Sequence, residues 1–259
     1  RVALELAKLG IHADDLEVLR TALRRPHGLI PVTGPTGSGK TTTLYSALLE
    51  MNTGRGCILT LEDPVEYEVE GIRQSQINVR AGLTFASGLR SMLRHDPDTI
   101  LVGEMRDPET VQIALSAALT GHMVLTTLHT TSAAGAVPRL LEMGAEPYVV
   151  ASAISLIVSQ RLVRVLCPDC KRPAPLPPEV ARRFGLQDVV VYAAVGCPRC
   201  RNVGFRGRLG IFEFLPLTDE MLAAVYARRT ADEIRAMSDR PTLLDDGVRK
   251  VRAGLTTTD

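Results

Sequence analysis

Gly34-Pro35-Thr36-Gly37-Ser38-Gly39-Lys40-Thr41 fits the pattern G-x-x-x-x-G-K-[ST]. On its N-terminal side, Leu29-Ile30-Pro31-Val32-Thr33 reads as a buried strand, with Pro31 better suited to a strand start or a sheet edge than to a centre. On its C-terminal side, Thr41 to Met51 reads as a helix with Leu44, Leu48 and Met51 on one face. A strand, a glycine-rich turn and a helix in that order make a phosphate cradle. The glycines let the backbone turn tightly and bring N–H groups to a polyphosphate, and the helix N-terminus adds partial positive charge. Gly34 to Thr42 are therefore the candidate nucleotide contacts, with Lys40 reaching the β and γ phosphates and Thr41 holding Mg²⁺.

The strands and helices around this motif set the fold class. Cys57-Ile58-Leu59-Thr60-Leu61, Thr99-Ile100-Leu101-Val102-Gly103 and His122-Met123-Val124-Leu125-Thr126-Thr127-Leu128 read as further apolar strands, with Cys57 a small core residue. Helices are expected over about 85–93, over 108–119 with Pro108 in the first turn, around Leu140, Leu141 and Met143 up to Gly144, and over 149–163. A polar hairpin is expected over Val69 to Val79. Ahead of the motif, residues 2–9 and 14–24 have helical spacing, with Asp14 as a cap. Alternating strands and helices predict a parallel sheet covered on both faces, with ligands beyond the carboxyl ends of its strands. Glu62, Glu104 and His129 all follow such strands.

Phosphoryl transfer needs acidic groups for metal and water and cations for the transferred phosphate. Glu104 ends a strand where an Mg²⁺-binding carboxylate belongs. Glu62 is the first candidate to orient or deprotonate the attacking water, with Glu66 as the alternative. His129 is placed to sense the γ-phosphate, whereas His122 reads as a loop residue. Arg94 and Arg106 are candidates for a cation passed from one subunit to the next, with Arg90 nearby.

The 259 residues are 45% apolar with five cysteines and a net charge of +1. The near-neutral charge and the 4% aromatic content argue against a nucleic-acid partner. No apolar run reaches the roughly 18 residues of a membrane span, and the first residues lack a signal-peptide pattern, so any membrane role is expected to go through a partner. Residues 1–27 read as the remnant of an N-terminal domain or linker.

Cys167-Pro168-Asp169-Cys170 and Cys197-Pro198-Arg199-Cys200 form a second signal. Two C-x-x-C knuckles match a closed tetrahedral Zn²⁺ site that serves folding rather than catalysis. The 26 residues between the pairs (171–196) imply a small inserted lobe. Lys171, Arg199, Arg201, Arg206 and Arg208 surround it as a charged face, solvated or docking an acidic partner. Short helices return over 218–254, with Thr218 and Thr230 as caps.

Taken together, GPTGSGKTTTLY (34–45), LEDPVEY (61–67), ILVGEMRD (100–107) and LTGHMVLTTLHTTSA (119–133) resemble, in order, the Walker A, Asp-box, Walker B and His-box runs of the secretion and pilus-assembly ATPases. The cysteine pairs, GFRGRLGIFE (204–213) and DDGVRKVRAGLTT (245–257) are similar to the type II secretion branch, the general secretory pathway protein E family. That resemblance implies an α/β, RecA-like P-loop NTPase core over 28–166, a tetracysteine zinc lobe over 167–215 and a C-terminal helical segment over 216–259. It also implies ATP, Mg²⁺ and Zn²⁺ as cofactors, with catalytic roles on Lys40, Thr41, Glu62, Glu104 and His129. The expected protein is a homo-hexameric, cytoplasmic motor, peripheral on the inner membrane, that drives pseudopilus assembly. Its family partners would be a bitopic recruitment protein and a polytopic platform protein. A type IV pilus extension ATPase and, further off, a zinc-ribbon nucleic-acid-dependent ATPase are the alternatives. Family members carry N-terminal domains that this sequence lacks beyond residues 1–27, so slow hydrolysis and an unstable ring are expected of this chain alone.

Overall fold

The computed structural model describes residues 5–258; the helix expected over 2–9 lies outside them in its first part, and its described part is no α-helix. A short 3₁₀ turn, Leu6–Lys8, leads into α1 (Ala13–Leu23). The cap of α1 is His12, whose ring accepts from the Asp14 N–H, not Asp14 itself. Then follow β1 (Gly28–Thr33), α2 (Lys40–Met51), β2 (Ile58–Glu62), β3 (Arg73–Gln76), α3 (Phe85–Met92), β4 (Thr99–Val102), α4 (Pro108–Leu119), β5 (Met123–Leu128), α5 (Ala136–Glu142) and α6 (Pro147–Ala153). The long strand β6 (Ile157–Leu166) runs into the cysteine lobe, which holds β7 (Arg172–Ala174), α7 (Pro178–Phe184) and β8 (Val191–Ala193). The chain returns along β9 (Phe205–Leu215) and ends in α8 (Asp219–Tyr226), α9 (Ala231–Ala236) and α10 (Leu243–Arg252).

The main sheet has the order β3-β2-β4-β5-β1-β6-β9, parallel throughout except for β9. Both faces are covered. Ile30, Val32, Leu101 and Leu125 pack with Leu44, Tyr45 and Leu48 of α2 and with Leu16 and Leu19 of α1. Leu29, Ile100, Val102 and Val124 pack the other way, against Leu89 of α3, Val111 and Leu115 of α4, and Val150 of α6. Alternation along each strand explains why neighbours such as Leu29 and Ile30 enter different cores.

Three sequence expectations need correction. Pro31 lies inside the central strand β1, not at an edge. The Ser155 N–H donates to Leu29 O on the β6 side, and β6 resumes pairing only at Val32, so the missing Pro31 N–H faces a gap in the ladder. The stretch expected as a polar hairpin instead gives β3, a parallel edge strand on β2. Its Arg-Gln-Ser-Gln sequence carries no apolar signal because an edge strand is half solvated. Finally, the apolar stretch 149–163 is not one helix. It breaks after Ala153, and the β-branched run from Ile157 pairs antiparallel with β9. Strand 205–215, assigned by sequence to the lobe, therefore lies in the main sheet.

Candidate active site

The carboxyl ends of β1, β2, β4 and β5 open into one cleft of about 540 Å³. Its floor is the P-loop. Gly39 has φ +88°, and a Cβ there would lie 2.8 Å from Gln160 Nε2, so the turn into α2 admits only glycine. Gly34, at φ +145°, would put a Cβ 2.4 Å from Gln160 O. Gly37 has positive φ and open space around it, which leaves its side of the loop clear for a ligand. Ser38 Oγ is buried without a partner among the described residues. Lys40 Nζ donates to Gly34 O at 2.8 Å and Pro35 O at 2.9 Å, folded onto the loop whose ligand it is expected to grip. Burial holds its ammonium below the usual lysine range, and the charge of Glu104 opposes that shift.

Glu104 follows β4 and is 8% exposed. Its position is set by backbone: Gly103 N–H donates to Leu61 O at 2.8 Å and Thr127 Oγ1 donates to Gly103 O at 2.6 Å. Arg106 pairs with Glu104 Oε1 at 2.5 Å, and His129 Nε2 stands 3.7 Å from Oε2. Arg106 thus lies in the same cleft as the carboxylate that was expected to hold Mg²⁺. Arg94 is not brought to the cleft, and Arg90 is taken up by Glu109 at 2.5 Å. His122 bonds Ala117 O through its ring, as a loop residue does.

Glu62 is buried, and three side chains orient its carboxylate. Tyr45 donates to Oε2, Thr60 Oγ1 donates to Oε1 at 2.5 Å, and Gln74 Nε2 donates to Oε1 at 3.2 Å. Burial and the bond to Glu62 push the Tyr45 phenol well above its ordinary range. A carboxylate has about four lone-pair sites, so one remains for a water. Glu66, the alternative, lines the same cleft but is exposed. Sequence reading missed Tyr45, Thr60 and Gln74. Tyr45 is six residues past Gly39 on α2, and only the folded chain brings its hydroxyl to Glu62 at the end of β2. Tyr45→Phe is expected to lower stability by about 1–3 kcal/mol, because a buried carboxylate oxygen loses its donor; a thermal melt measures it.

At the far end of β6, the four cysteine Sγ atoms lie within 4.8 Å of one another. Cys167 and Cys197 sulfurs are 3.9 Å apart, and those of Cys170 and Cys200 are 3.8 Å apart. A tetrahedron with Zn–S bonds of about 2.3 Å has S···S edges of about 3.8 Å, so the donor set fits zinc and is too wide for disulfides. Burial alone would raise the Cys200 thiol, but N–H groups of Cys197 (3.1 Å) and Gly204 (3.2 Å) bring it down to about 6. The same donors favour the thiolate that a metal requires. The insertion adds its own small core, Leu186 and Val191 with Val251 of α10.

A family model described as "Type II/IV secretion system protein" matches residues 1–259. The type II secretion system protein E of Pectobacterium carotovorum subsp. carotovorum is 48% identical over 259 residues, 99% of this chain and 52% of that protein. The type II secretion system ATPase E of Vibrio cholerae serotype O1 is 48% identical over 98% of this chain and 51% of its own length. A crystal structure of the pilus retraction motor PilT with bound ADP superposes with a TM-score of 0.72 at 30% identity, covering 98% of this chain and 64% of that one. The chain spans about half the length of the curated relatives it matches.

Proposed function

The chain belongs to the type II/IV secretion system protein family, and from that premise we propose that it is the motor portion of a type II secretion ATPase, hydrolysing ATP to drive pseudopilus assembly. The observation that carries this reading is the convergence of Lys40, Glu62 and Glu104 in one cleft with a P-loop floor. Lys40 turns from the loop carbonyls to the β and γ phosphates. The P-loop N–H groups and the start of α2 hold the phosphate chain. Thr41 and Glu104 would hold a Mg²⁺ bound with the nucleotide, which would neutralise phosphate charge there, and Arg106 is the cation that Glu104 pairs with in this structure. Glu62, fixed by Tyr45, Thr60 and Gln74, uses its remaining lone pair to aim water at the γ-phosphorus. His129, 3.7 Å from Glu104, reports the γ-phosphate to that carboxylate. Arg106 and Arg94 serve the γ-phosphate when subunits meet. The 28–166 core, the cysteine lobe and the C-terminal helices act as one subunit of a homo-hexamer. This ring works in the cytoplasm, recruited to the inner membrane by a bitopic protein and acting on a polytopic platform protein, with no nucleic acid involved. No helix among the described residues is long and apolar enough to cross a membrane.

Two isosteric substitutions test the division of labour. Glu62→Gln and Glu104→Gln are each expected to cut kcat by roughly 10²–10³-fold. Glu62→Gln should leave Mg²⁺-dependent ATP affinity unchanged, while Glu104→Gln should raise the Mg²⁺ concentration needed. Glu66→Gln should change neither. Loss of activity in Glu66→Gln with wild-type rates in Glu62→Gln would move the water-positioning role to Glu66. Stimulation of the ATPase by DNA rather than by the membrane partner would overturn the secretion reading.

A further inference from the structure

The β6–β9 ribbon does more than carry the cysteine lobe. On β6, Gln160 and Leu162 face the P-loop: Thr43 Oγ1 donates to Gln160 Oε1 at 2.7 Å, and Leu162 Cδ2 lies 3.4 Å from where a Gly39 Cβ would stand. Side chains alternate along a strand, so Arg164 is the next residue on that face. The register sets Arg208 of β9 directly opposite it. Arg208 and Leu162 both line the nucleotide cleft, as Lys40 and Thr41 do. Sequence alone put Arg208 in the charged face around the cysteines; the pairing turns it toward the phosphate site instead.

Two like charges directly opposite one another in a ladder oppose pairing. Here Arg164 lies over the Phe205 ring, 3.9 Å from its centroid, and Arg208 is left exposed at the cleft. Neither guanidinium has a carboxylate partner among the described residues, whereas Arg199, Arg235 and Arg240 each have one. Of the two, Arg208 lines the cleft whose floor is the P-loop.

We propose that Arg208, backed by Arg164, binds the phosphate chain of the nucleotide from the β6–β9 ribbon beside the P-loop, and that the metal-filled cysteine lobe holds it in place. The inference rests on the reading of the cleft as a nucleotide site. Its second half follows from how the ribbon ends. β6 runs directly into Cys167 and β9 leaves from Gly204. Cys167 N–H donates to Gly204 O at 2.9 Å, and Gly204 N–H donates to Cys200 Sγ at 3.2 Å. The four-thiolate site therefore clamps the open end of the ribbon, close in sequence to both arginines. Losing the metal frays that end and frees Arg208 from its register. Two sites coupled in this way must affect one another reciprocally.

The test is calorimetric titration of Mg-ADP and of a non-hydrolysable ATP analogue into the zinc-loaded protein. Arg208→Ala is expected to weaken both by about tenfold, the loss of one charge-assisted contact. Arg208→Lys should recover part of that loss. Arg161→Ala, the same charge change on the opposite face of β6, should bind like wild type. In parallel, saturating Mg-ADP should slow zinc loss to a chromogenic chelator in wild type but not in Arg208→Ala. Equal affinity in wild type and Arg208→Ala overturns the proposal, as does an equal loss in Arg161→Ala, which would mean bulk charge. Unchanged zinc release with and without nucleotide overturns the coupling. A wild-type protein that binds neither nucleotide, indistinguishable from Lys40→Ala, instead overturns the nucleotide-site reading on which the proposal stands.

Discussion

Lys40→Ala brings nucleotide-dependent turnover of the assembled protein down to background, a loss of roughly a thousandfold or more. The size follows from what the ammonium replaces. The transition state of phosphoryl transfer spreads charge over the γ-phosphate oxygens, and catalysis consists of positioning and stabilising that charge. Lys40 is the only lysine among the described residues that lines the cleft. It is buried, so its charge acts through little water, and the Glu104 charge opposes the downward shift that burial imposes on it. The rest of the loop remains after the substitution: Gly34, Gly37 and Gly39 keep their backbone angles, and the start of α2 still offers its N–H groups. The fold should therefore survive, because the two hydrogen bonds lost are from Nζ to carbonyls of the P-loop itself, at the cleft rather than in either hydrophobic core. The melting temperature should change little while steady-state ATPase and nucleotide titration both collapse. Wild-type turnover in the variant would refute the assignment of the P-loop as the hydrolytic site.

How far the sequence reaches is visible in the same cleft. The glycines, Lys40, Glu62 and Glu104 were legible because each sits in a short local pattern at a strand end, and parallel sheets gather those ends by construction. The cysteines were legible because ligand spacing is local within each knuckle. What sequence missed has one main cause: pairing between distant segments. Tyr45 of α2 and Gln74 of β3 reach Glu62 only in the folded chain, whereas Thr60 is its i−2 neighbour on β2 and carries no motif of its own. The run from Ile157 reads as a helix until β9, some fifty residues later, supplies its partner. Arg208 reads as part of a basic lobe for the same reason, since its neighbours in sequence are cysteine-lobe residues and its neighbour in space is Arg164. Pro31 misleads because its missing N–H matters only on the side where β6 fails to pair.

Replacing Cys170 and Cys200 together by Ser is expected to reduce zinc from about one per chain to none and to unfold the lobe while the main sheet stays folded. The lobe has little else to hold it. β7 and β8 are three residues each, a two-stranded ribbon too small to persist alone. Its fully buried apolar side chains are few, chiefly Leu186 and Val191 against Val251. A structural Zn²⁺ contributes about 10–16 kcal/mol at neutral pH in small domains, far more than such a core supplies. The main sheet, by contrast, is packed on both faces by separate clusters that include none of the cysteine ligands. Both substituted thiols are buried, at 4% and 5% exposure, so water cannot readily complete the site in their place. Elemental analysis reads the metal, and limited proteolysis reads the lobe, with cleavage expected within 171–196. The lobe also touches the end of the chain, where Lys171 Nζ donates to Gly254 O at 2.7 Å and Leu166 N–H to Leu255 O at 2.8 Å. Cleavage should therefore spread to the residues after α10. A metal-free variant that resists protease over both segments would mean the lobe folds on its own contacts and the four thiolates serve some other purpose.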